Sequence, residues 1–276
     1  MSVSVKIKQR SIFKKKLNIE EIIKLTNLSY GVSDENYRII PNEIAEHTLI
    51  YDNNRLARGI DISLDDTDVV LLLSLPTSPS EIRKFYEVIE IMCNKFNTQN
   101  YIREEELVNI KDNEKFIKYD EEGSIAGLED LQEKISQDEY KRFEIFGVYN
   151  PISIGINEIK KINNNLYNLE EYLDKIQSLD VYYATPRVYR VKEKLIGIYA
   201  IGPNIPSVVP TKPYIVLNQI KGIEEWYVMM KEGKTIKYND LINNAKNKEY
   251  YDANHIIVTL SDNEIDNLLE KYIAVI

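Results

Sequence analysis

The chain has 276 residues, of which 43% are hydrophobic and 29% are charged, and its formal net charge is −9. This balance is ordinary for a globular protein, so it excludes a wholly disordered chain and a fibrous one. The longest apolar run, residues 69–73, is far shorter than the roughly 20 residues of a membrane-spanning helix, and we expect no membrane segment.

The charge is unevenly distributed along the chain. Residues 103–144 carry 14 acidic and 7 basic side chains, a net charge of −7. The first 16 residues have the opposite sign and contain no acid. Nucleic-acid binding needs clustered cations that release counterions, and this short cluster is the only candidate, which disfavours a nucleic-acid partner. Its cations are Lys6, Lys8, Arg10, Lys14, Lys15 and Lys16.

A single cysteine, Cys93, limits the redox and metal chemistry open to the chain. It excludes an internal disulfide and a metal site built from several thiolates. Residues 1–8 alternate apolar and polar side chains, whereas a signal peptide needs a continuous apolar segment. We therefore expect a cytoplasmic protein.

The first predicted elements are short and bounded by turn residues. Alternation in residues 3–8 predicts a strand, which we place at a sheet edge because its lysines discourage pairing with another chain. Residues 19–25 predict a helix capped by Asn18. Residues 48–51 and 57–62 flank an Asp-Asn-Asn turn and predict a hairpin.

Two distant segments share one pattern, an apolar strand that runs into a Ser-x-x-Glu-Ile helix start. The pairs are Ser78 with Glu81 and Ser261 with Glu264. In each pair we expect a capping box, in which the serine hydroxyl accepts from the glutamate amide and the carboxylate accepts from the serine amide. Apolar residues at steps of three and four, as far as Phe96, predict that the first of these helices packs on the core.

The middle of the chain gives a weaker signal. Residues 97–126 are polar and show no clear element, and residues 128–142 predict an amphipathic helix. The Asn150-Pro151 step predicts a domain boundary, because proline disfavours a helical conformation in the residue before it.

These elements predict an α+β fold. We expect two packed α/β-mixed halves with mostly antiparallel sheets, an N-terminal half of residues 1–150 and a C-terminal half of residues 151–276. Each half contains a strand followed by a Ser-x-x-Glu capped amphipathic helix.

Side chains with reactive potential are sparse. His47 and His255 are the only histidines, so a zinc site with several imidazoles is excluded, and no Gly-x-Ser-x-Gly elbow presents a catalytic serine. No glycine-rich phosphate loop occurs, and we predict no cofactor. The turn that holds Asp65, Asp66 and Asp68 lacks the spaced ligands of a calcium loop, and we predict no metal.

Residues 27–32, 51–60 and 182–187 carry a resemblance to a known family. They resemble an uncharacterised family of cytoplasmic bacterial proteins that is defined only as a domain of unknown function. The resemblance spans most of the chain and implies a bacterial intracellular protein. It implies no catalytic residue.

The acidic charge is concentrated in one region of the sequence, and no set of catalytic residues is apparent. This combination favours a binding protein over an enzyme. We expect a non-enzymatic, immunity- or inhibitor-like protein that binds another protein with a basic surface, since complementary charge steers association. The candidate partner-binding residues are Glu104, Glu105, Glu106, Asp120, Glu121 and Glu122.

The alternative is an enzyme or a small-ligand-binding protein of unknown substrate. Arginine forms bidentate hydrogen bonds with anions, and aspartate or histidine adds acid–base chemistry. A shared concave pocket favours this alternative, whereas dispersal over the surface counts against it. The candidate residues are His47, Arg55, Arg58, Asp65, Asp66, Asp68 and Arg187. Neither hypothesis fixes an oligomeric state.

Overall fold

The computed structural model describes residues 1–9 and 16–274. Arg10, Lys14 and Lys15 of the predicted basic cluster lie outside the described residues. The chain divides into two compact units, Met1–Ser178 and Leu179–Ile276.

The first unit combines one large sheet, one small sheet and five helices in its described part. In chain order its elements are β1 (Ser2–Ile7), α1 (Ile19–Thr26), β2 (Ser29–Ser33), β3 (Ile39–Pro41), β4 (Thr48–Tyr51), β5 (Ile60–Asp65), β6 (Asp68–Ser74), α2 (Pro79–Lys95), β7 (Asn100–Arg103), β8 (Glu106–Asn109), α3 (Asn113–Ser136), β9 (Arg142–Phe146), β10 (Pro151–Gly155), α4 (Ile156–Ile162) and α5 (Leu166–Gln177). The large sheet has the strand order β3-β2-β4-β5-β6-β1-β7-β8 with antiparallel pairs throughout, and β9 pairs with β10.

The second unit contains two four-stranded sheets in its described part, residues 179–274. Its elements are β11 (Tyr182–Tyr183), β12 (Arg187–Val191), β13 (Lys194–Ala200), β14 (Ser207–Pro210), β15 (Ile223–Met229), β16 (Thr235–Lys237), α6 (Tyr238–Asn244), β17 (Lys248–Tyr250), β18 (His255–Val258) and α7 (Asp262–Leu269). The strand orders are β11-β14-β18-β17 and β12-β13-β15-β16, and most pairs are antiparallel. The predicted α+β class is confirmed. Of the helices in the described ranges, none has the length and apolar character needed to cross a membrane.

The core of the first unit lies between the large sheet and its helices. Alternate residues of β1, β5 and β6 are buried on one face, and they join the buried stripe of α2 in one cluster. Each such side chain contributes about 1.5–3 kcal/mol by leaving water. The α2 stripe was predicted from its spacing and consists of Ile82, Phe85, Tyr86, Ile89 and Cys93.

The prediction that the first strand lies at a sheet edge is wrong. β1 pairs with β6 from Ser2 to Ile7 and with β7 at Val5 and Lys6, so it lies inside the sheet. The Lys6 ammonium is 2.6 Å from Asp65. Alternation of apolar and polar residues shows only that one face of a strand is more buried than the other. An inner strand of an antiparallel sheet gives the same pattern as an edge strand.

The N-terminal helix matches its prediction, and the two strands of the first hairpin pair as predicted, although the second begins at Ile60 and not at residue 57. In α1, Asn18 and Glu21 exchange two hydrogen bonds of 2.9 Å in a capping box, and Asn27 ends the helix in the left-handed conformation. The hairpin joins β4 to β5, and the following turn brings Asp65 opposite Asp68.

The two Ser-x-x-Glu helix starts differ in one hydrogen bond. Ser261 and Glu264 form the full capping box at α7. At α2 the Ser78 hydroxyl accepts from the Glu81 amide at 3.1 Å, but the Glu81 carboxylate accepts from the Gly59 amide at 2.6 Å. The first glutamate therefore links the helix to the β4–β5 connection and does not complete its cap.

The region that showed no clear element forms β7, β8 and most of α3. Gly123 and Gly127 lie within α3, although each glycine costs about 1 kcal/mol in a helix interior. This part of the helix contacts the β6–α2 connection, where the buried Ser124 hydroxyl accepts from the amide of Thr77 at 3.3 Å. The helix ends at Ser136, before the predicted end at residue 142, where β9 begins.

The first unit extends beyond the predicted boundary at Asn150. β9 and β10 pair across that point, with Pro151 opposite Phe146. Gln177, at the end of α5, accepts from the amides of Tyr149 and Asn150 at 2.7 and 3.0 Å. These contacts hold both sides of the predicted boundary in one compact unit.

Candidate functional site

The turn between β7 and β8 carries three consecutive glutamates at its tip. Its central residues, Glu104 and Glu105, have φ values of 47° and 72°, in the left-handed region that disfavours L side chains. Arg103 and Glu106 face each other across the turn. Two central residues with positive φ are typical of the tight hairpin turns in which Asn-Gly is preferred. Glu104 and Glu105 therefore hold a strained backbone conformation.

Two hydrogen bonds to β1 hold this turn in place. The Glu104 amide donates to the Ser4 carbonyl oxygen at 3.2 Å, and a Glu104 carboxylate oxygen accepts from the Ser4 amide at 2.6 Å. Glu105 and Glu106 are exposed, and neither has an ion-pair partner among the described residues. Two of the three carboxylates therefore present unneutralised charge to solvent.

A buried ion pair supports the turn from beneath. The Arg103 guanidinium is 2.5 Å from the Asp120 carboxylate of α3 and donates to the Tyr86 hydroxyl at 3.3 Å. Tyr86 donates to the second Asp120 oxygen at 2.6 Å. Asp120 is only 1% exposed, so the prediction that it takes part in a partner-binding surface is wrong.

An exposed tyrosine stands beside the turn. The Arg103 guanidinium lies 4.8 Å from the centre of the Phe116 ring and 5.5 Å from that of Tyr119. Phe116 is partly buried, whereas Tyr119 is 63% exposed. A cation–π contact at an exposed site contributes about 0.5–1 kcal/mol. The glutamate turn thus has an exposed aromatic neighbour that contacts Arg103.

The remaining predicted acids differ in their availability. Glu121 is 3.4 Å from Arg83 and is largely covered. Glu122 is exposed and follows Tyr119 by three residues, which places the two on one face of α3. We call the surface formed by Glu104, Glu105, Glu106, Tyr119 and Glu122 the acidic tip.

Residues of the alternative hypothesis are dispersed. His47 is exposed, and its Nδ1 is 3.0 Å from Asp61. This hydrogen bond and the charge of Asp61 raise the pKa of His47 above its usual range. Asp65, Asp66 and Asp68 occupy the β5–β6 turn. Within the described ranges, no group of three or more His, Cys, Asp or Glu side chains is placed to hold a metal ion.

The three candidate arginines have separate environments. The Arg58 side chain is partly buried, and its guanidinium donates to the carbonyl oxygens of Phe146 and Pro76 at 3.3 and 3.2 Å, a structural arrangement. Arg55 lines a cavity against α2 whose described lining contains neither His47 nor the aspartate turn. Arg187 begins β12 in the second unit.

Sequence reasoning missed Arg103 and Tyr119 as members of this site. A signal for the buried pair was present, because Ile117, Asp120, Ser124 and Leu128 recur at helical spacing and are all buried. That stripe places Asp120 inward and Tyr119 beside it at the surface. The contact between Arg103 and α3 joins distant segments and has no local signature.

Comparison with known proteins places the chain in a family. No curated protein and no solved structure matches the chain. A family model described as "Domain of unknown function (DUF4299)" matches residues 2–268, nearly the whole sequence. The chain therefore belongs to this family of unknown function.

Proposed function

We propose that this chain is a non-enzymatic protein that binds another protein, one with a basic surface, through the acidic tip. The observation that carries the proposal is the exposed Tyr119 ring, which rests on Arg103 among carboxylates that are largely unpaired. Tyrosine is enriched at protein interfaces, and well-packed aromatic anchors contribute a large share of their binding energy.

Charge provides the selectivity in this proposal. Glu105, Glu106 and Glu122 are exposed and share one sign, so they attract a basic partner and repel an acidic one. Exposed charges are screened within about 10 Å at 0.1 M salt. Binding is therefore expected to weaken as salt is added.

The hydrogen bonds that order the turn support a recognition role. The strained Glu104-Glu105 turn is bonded to Ser4, and the ring of Tyr119 contacts the Arg103 guanidinium. A surface that is already ordered loses less conformational freedom on binding, and affinity rises accordingly.

The proposed biological setting is an immunity- or inhibitor-like role in the bacterial cytoplasm. The buried Cys93 fits a reducing compartment, because no disulfide partner exists in the chain. Burial also raises the pKa of the Cys93 thiol to about 11, which opposes a nucleophilic role at neutral pH.

Selection from a displayed library of random peptides tests the proposal. The immobilised wild-type chain is expected to enrich peptides rich in Lys and Arg, and the tightest of these is then titrated by fluorescence anisotropy. The double variant Glu105→Lys/Glu106→Lys should weaken binding of this peptide at least tenfold, because two side chains that attract the peptide would then repel it. Both side chains lie at the surface, outside the folded core.

A charge-matched control isolates the acidic tip from net charge. Glu35 and Glu43 are exposed acids next to β2 and β3, at the opposite edge of the sheet from β8. Glu35→Lys/Glu43→Lys should leave peptide binding within about twofold of wild type. Equal losses in the two double variants, or selection of peptides without basic residues, would overturn the proposal.

A further inference from the structure

We infer that the partner adds a strand to β8, as an extended segment with basic side chains that pairs along the open edge of the large sheet. The inference rests on the proposed function and specifies how the partner binds at the acidic tip. β8 is the last strand in the order β3-β2-β4-β5-β6-β1-β7-β8, so it pairs with β7 on one side and with no described strand on the other. A bare strand edge is a template for pairing with another chain.

The backbone of Leu107 faces the open side of β8. Just beyond the pair of Asn100 and Asn109, the Ile110 amide donates to the Gln99 carbonyl oxygen at 2.9 Å. Hydrogen-bonded and non-hydrogen-bonded pairs alternate along an antiparallel ladder, so Leu107, three residues before Ile110, lies in a non-hydrogen-bonded pair. Its amide and carbonyl therefore point away from β7, and neither has a hydrogen-bond partner in the described part of the chain.

Apolar side chains flank the open edge on both faces of the sheet. Leu107 is 74% exposed and lies on the face opposite to that of Glu106, because successive residues of a strand alternate between faces. Tyr119 stands on the other face, where it contacts Arg103, the cross-strand neighbour of Glu106. The side chains of an added strand alternate in the same way, so one set can cover Leu107 and the other can contact the Tyr119 ring.

Backbone geometry and charge together define the segment that fits. An extended backbone can bond the free amide and carbonyl of Leu107, whereas a helix bonds its own backbone groups internally. Glu105 and Glu106 are exposed at the start of β8. Opposite charges across a strand pair stabilise it and like charges destabilise it, so lysine or arginine in the added strand is favoured. A second copy of β8 would instead bring its own glutamates to the same edge.

Backbone methylation of the tightest selected basic peptide tests the inference on the wild-type chain. An N-methyl group removes one amide donor and leaves every side chain and its charge in place. Only alternate residues of an added strand direct their amides towards β8. N-methylation at each position in turn should therefore weaken binding by about tenfold or more at alternate residues of the central segment, and by less than about threefold at the residues between them.

Two variants of Leu107 separate backbone pairing from side-chain contact. Leu107→Pro removes the outward amide, and proline is tolerated on an edge strand where its nitrogen faces solvent. Leu107→Ala removes most of the side chain and keeps the amide. The proline variant should weaken peptide binding by about tenfold or more, and clearly more than the alanine variant does. Circular dichroism and thermal unfolding check that both fold, and equal losses in two folded variants would overturn the inference.

Amide hydrogen exchange locates the added strand. The Leu107 amide faces solvent in the free chain, so the bound peptide should slow its exchange by about tenfold or more. The Val108 amide belongs to a hydrogen-bonded pair with Tyr101 of β7 and should change less. A general stabilisation of the chain would instead slow exchange at Val108 at least as much, and that result would overturn strand addition.

The outcomes separate this inference from the proposed function. A peptide whose binding depends on Glu105 and Glu106 but shows no alternation on methylation, or binds as a helix, overturns strand addition and leaves the proposed function standing. Selection of no basic peptide overturns both. A chain that dimerises in analytical ultracentrifugation, with its Leu107 amide already slow to exchange, assigns the edge to a second copy and overturns the inference.

Discussion

The guanidinium of Arg103 lies 5.5 Å from the centre of the Tyr119 ring while it pairs with Asp120 beneath the surface. One buried cation therefore connects the interior of the first unit to the most exposed aromatic ring of α3. This relationship joins stability to the proposed recognition role, because a change at Arg103 affects both.

Replacement of Arg103 by methionine should destabilise the chain strongly. Asp120 would remain buried without its cation, and the loss of one partner from a buried pair costs about 3–5 kcal/mol. Urea unfolding measures the change. The double variant Arg103→Met/Asp120→Leu should be more stable than Arg103→Met alone, because it leaves no unpaired charge; a double variant that is less stable would contradict this account.

Glycine at the second turn position should stabilise the fold. Glu105 has a φ of 72°, and a left-handed conformation costs an L residue about 1–2 kcal/mol. Glu105→Gly is therefore expected to raise the free energy of unfolding by about 1 kcal/mol. Glu104→Gly should gain less, since it removes the hydrogen bond to Ser4. Thermal unfolding of both variants provides the comparison, and destabilisation by Glu105→Gly would count against strain at the turn.

The pKa of His47 should lie above the usual histidine value of about 6.5. The hydrogen bond and charge of Asp61 favour the imidazolium, so the stability that this pair adds is complete below the unfolded pKa and is lost as pH rises through the folded pKa. The effect on stability is small, since the His47 side chain is 68% exposed. NMR titration of the ring protons measures the pKa directly. Asp61→Asn should return it towards 6.5, and an unchanged midpoint would refute the assigned cause.

Gln177 should be needed for the stability of the first unit. Its buried side chain accepts from the amides of Tyr149 and Asn150 and donates to the Asn150 carbonyl oxygen at 3.0 Å. Gln177→Ala leaves these groups without that partner, at about 1–3 kcal/mol for each unsatisfied group. Chemical unfolding should show that Gln177→Ala lowers the free energy of unfolding by about 2–4 kcal/mol. The control Gln137→Ala, at an exposed residue, should lower it by less than about 0.5 kcal/mol. Similar losses in both would refute the role of Gln177.

Local patterns in the sequence predicted the elements that local contacts stabilise. The cap of α1 at Asn18, the buried stripe of α2 and the capping box of Ser261 all depend on residues within a few positions of one another. Periodicity and capping preferences describe such contacts directly.

Features fixed by distant contacts were not predictable in this way. The Glu81 carboxylate binds the Gly59 amide and not the Ser78 amide, and the inner position of β1 depends on its partners β6 and β7. In the candidate site, the acidic charge was visible from composition, but the burial of Asp120 depends on Arg103 across the fold. A count of acidic residues does not separate a buried carboxylate from an exposed one.

The most direct measurement is a chemical-shift map of the labelled chain during titration with the tightest selected basic peptide. Binding at the acidic tip predicts the largest backbone shifts at Glu104, Glu105 and Glu106, with ring shifts at Tyr119, and all of them should diminish as salt is added. Largest shifts in the second unit, or shifts that salt does not diminish, would contradict the proposed interaction.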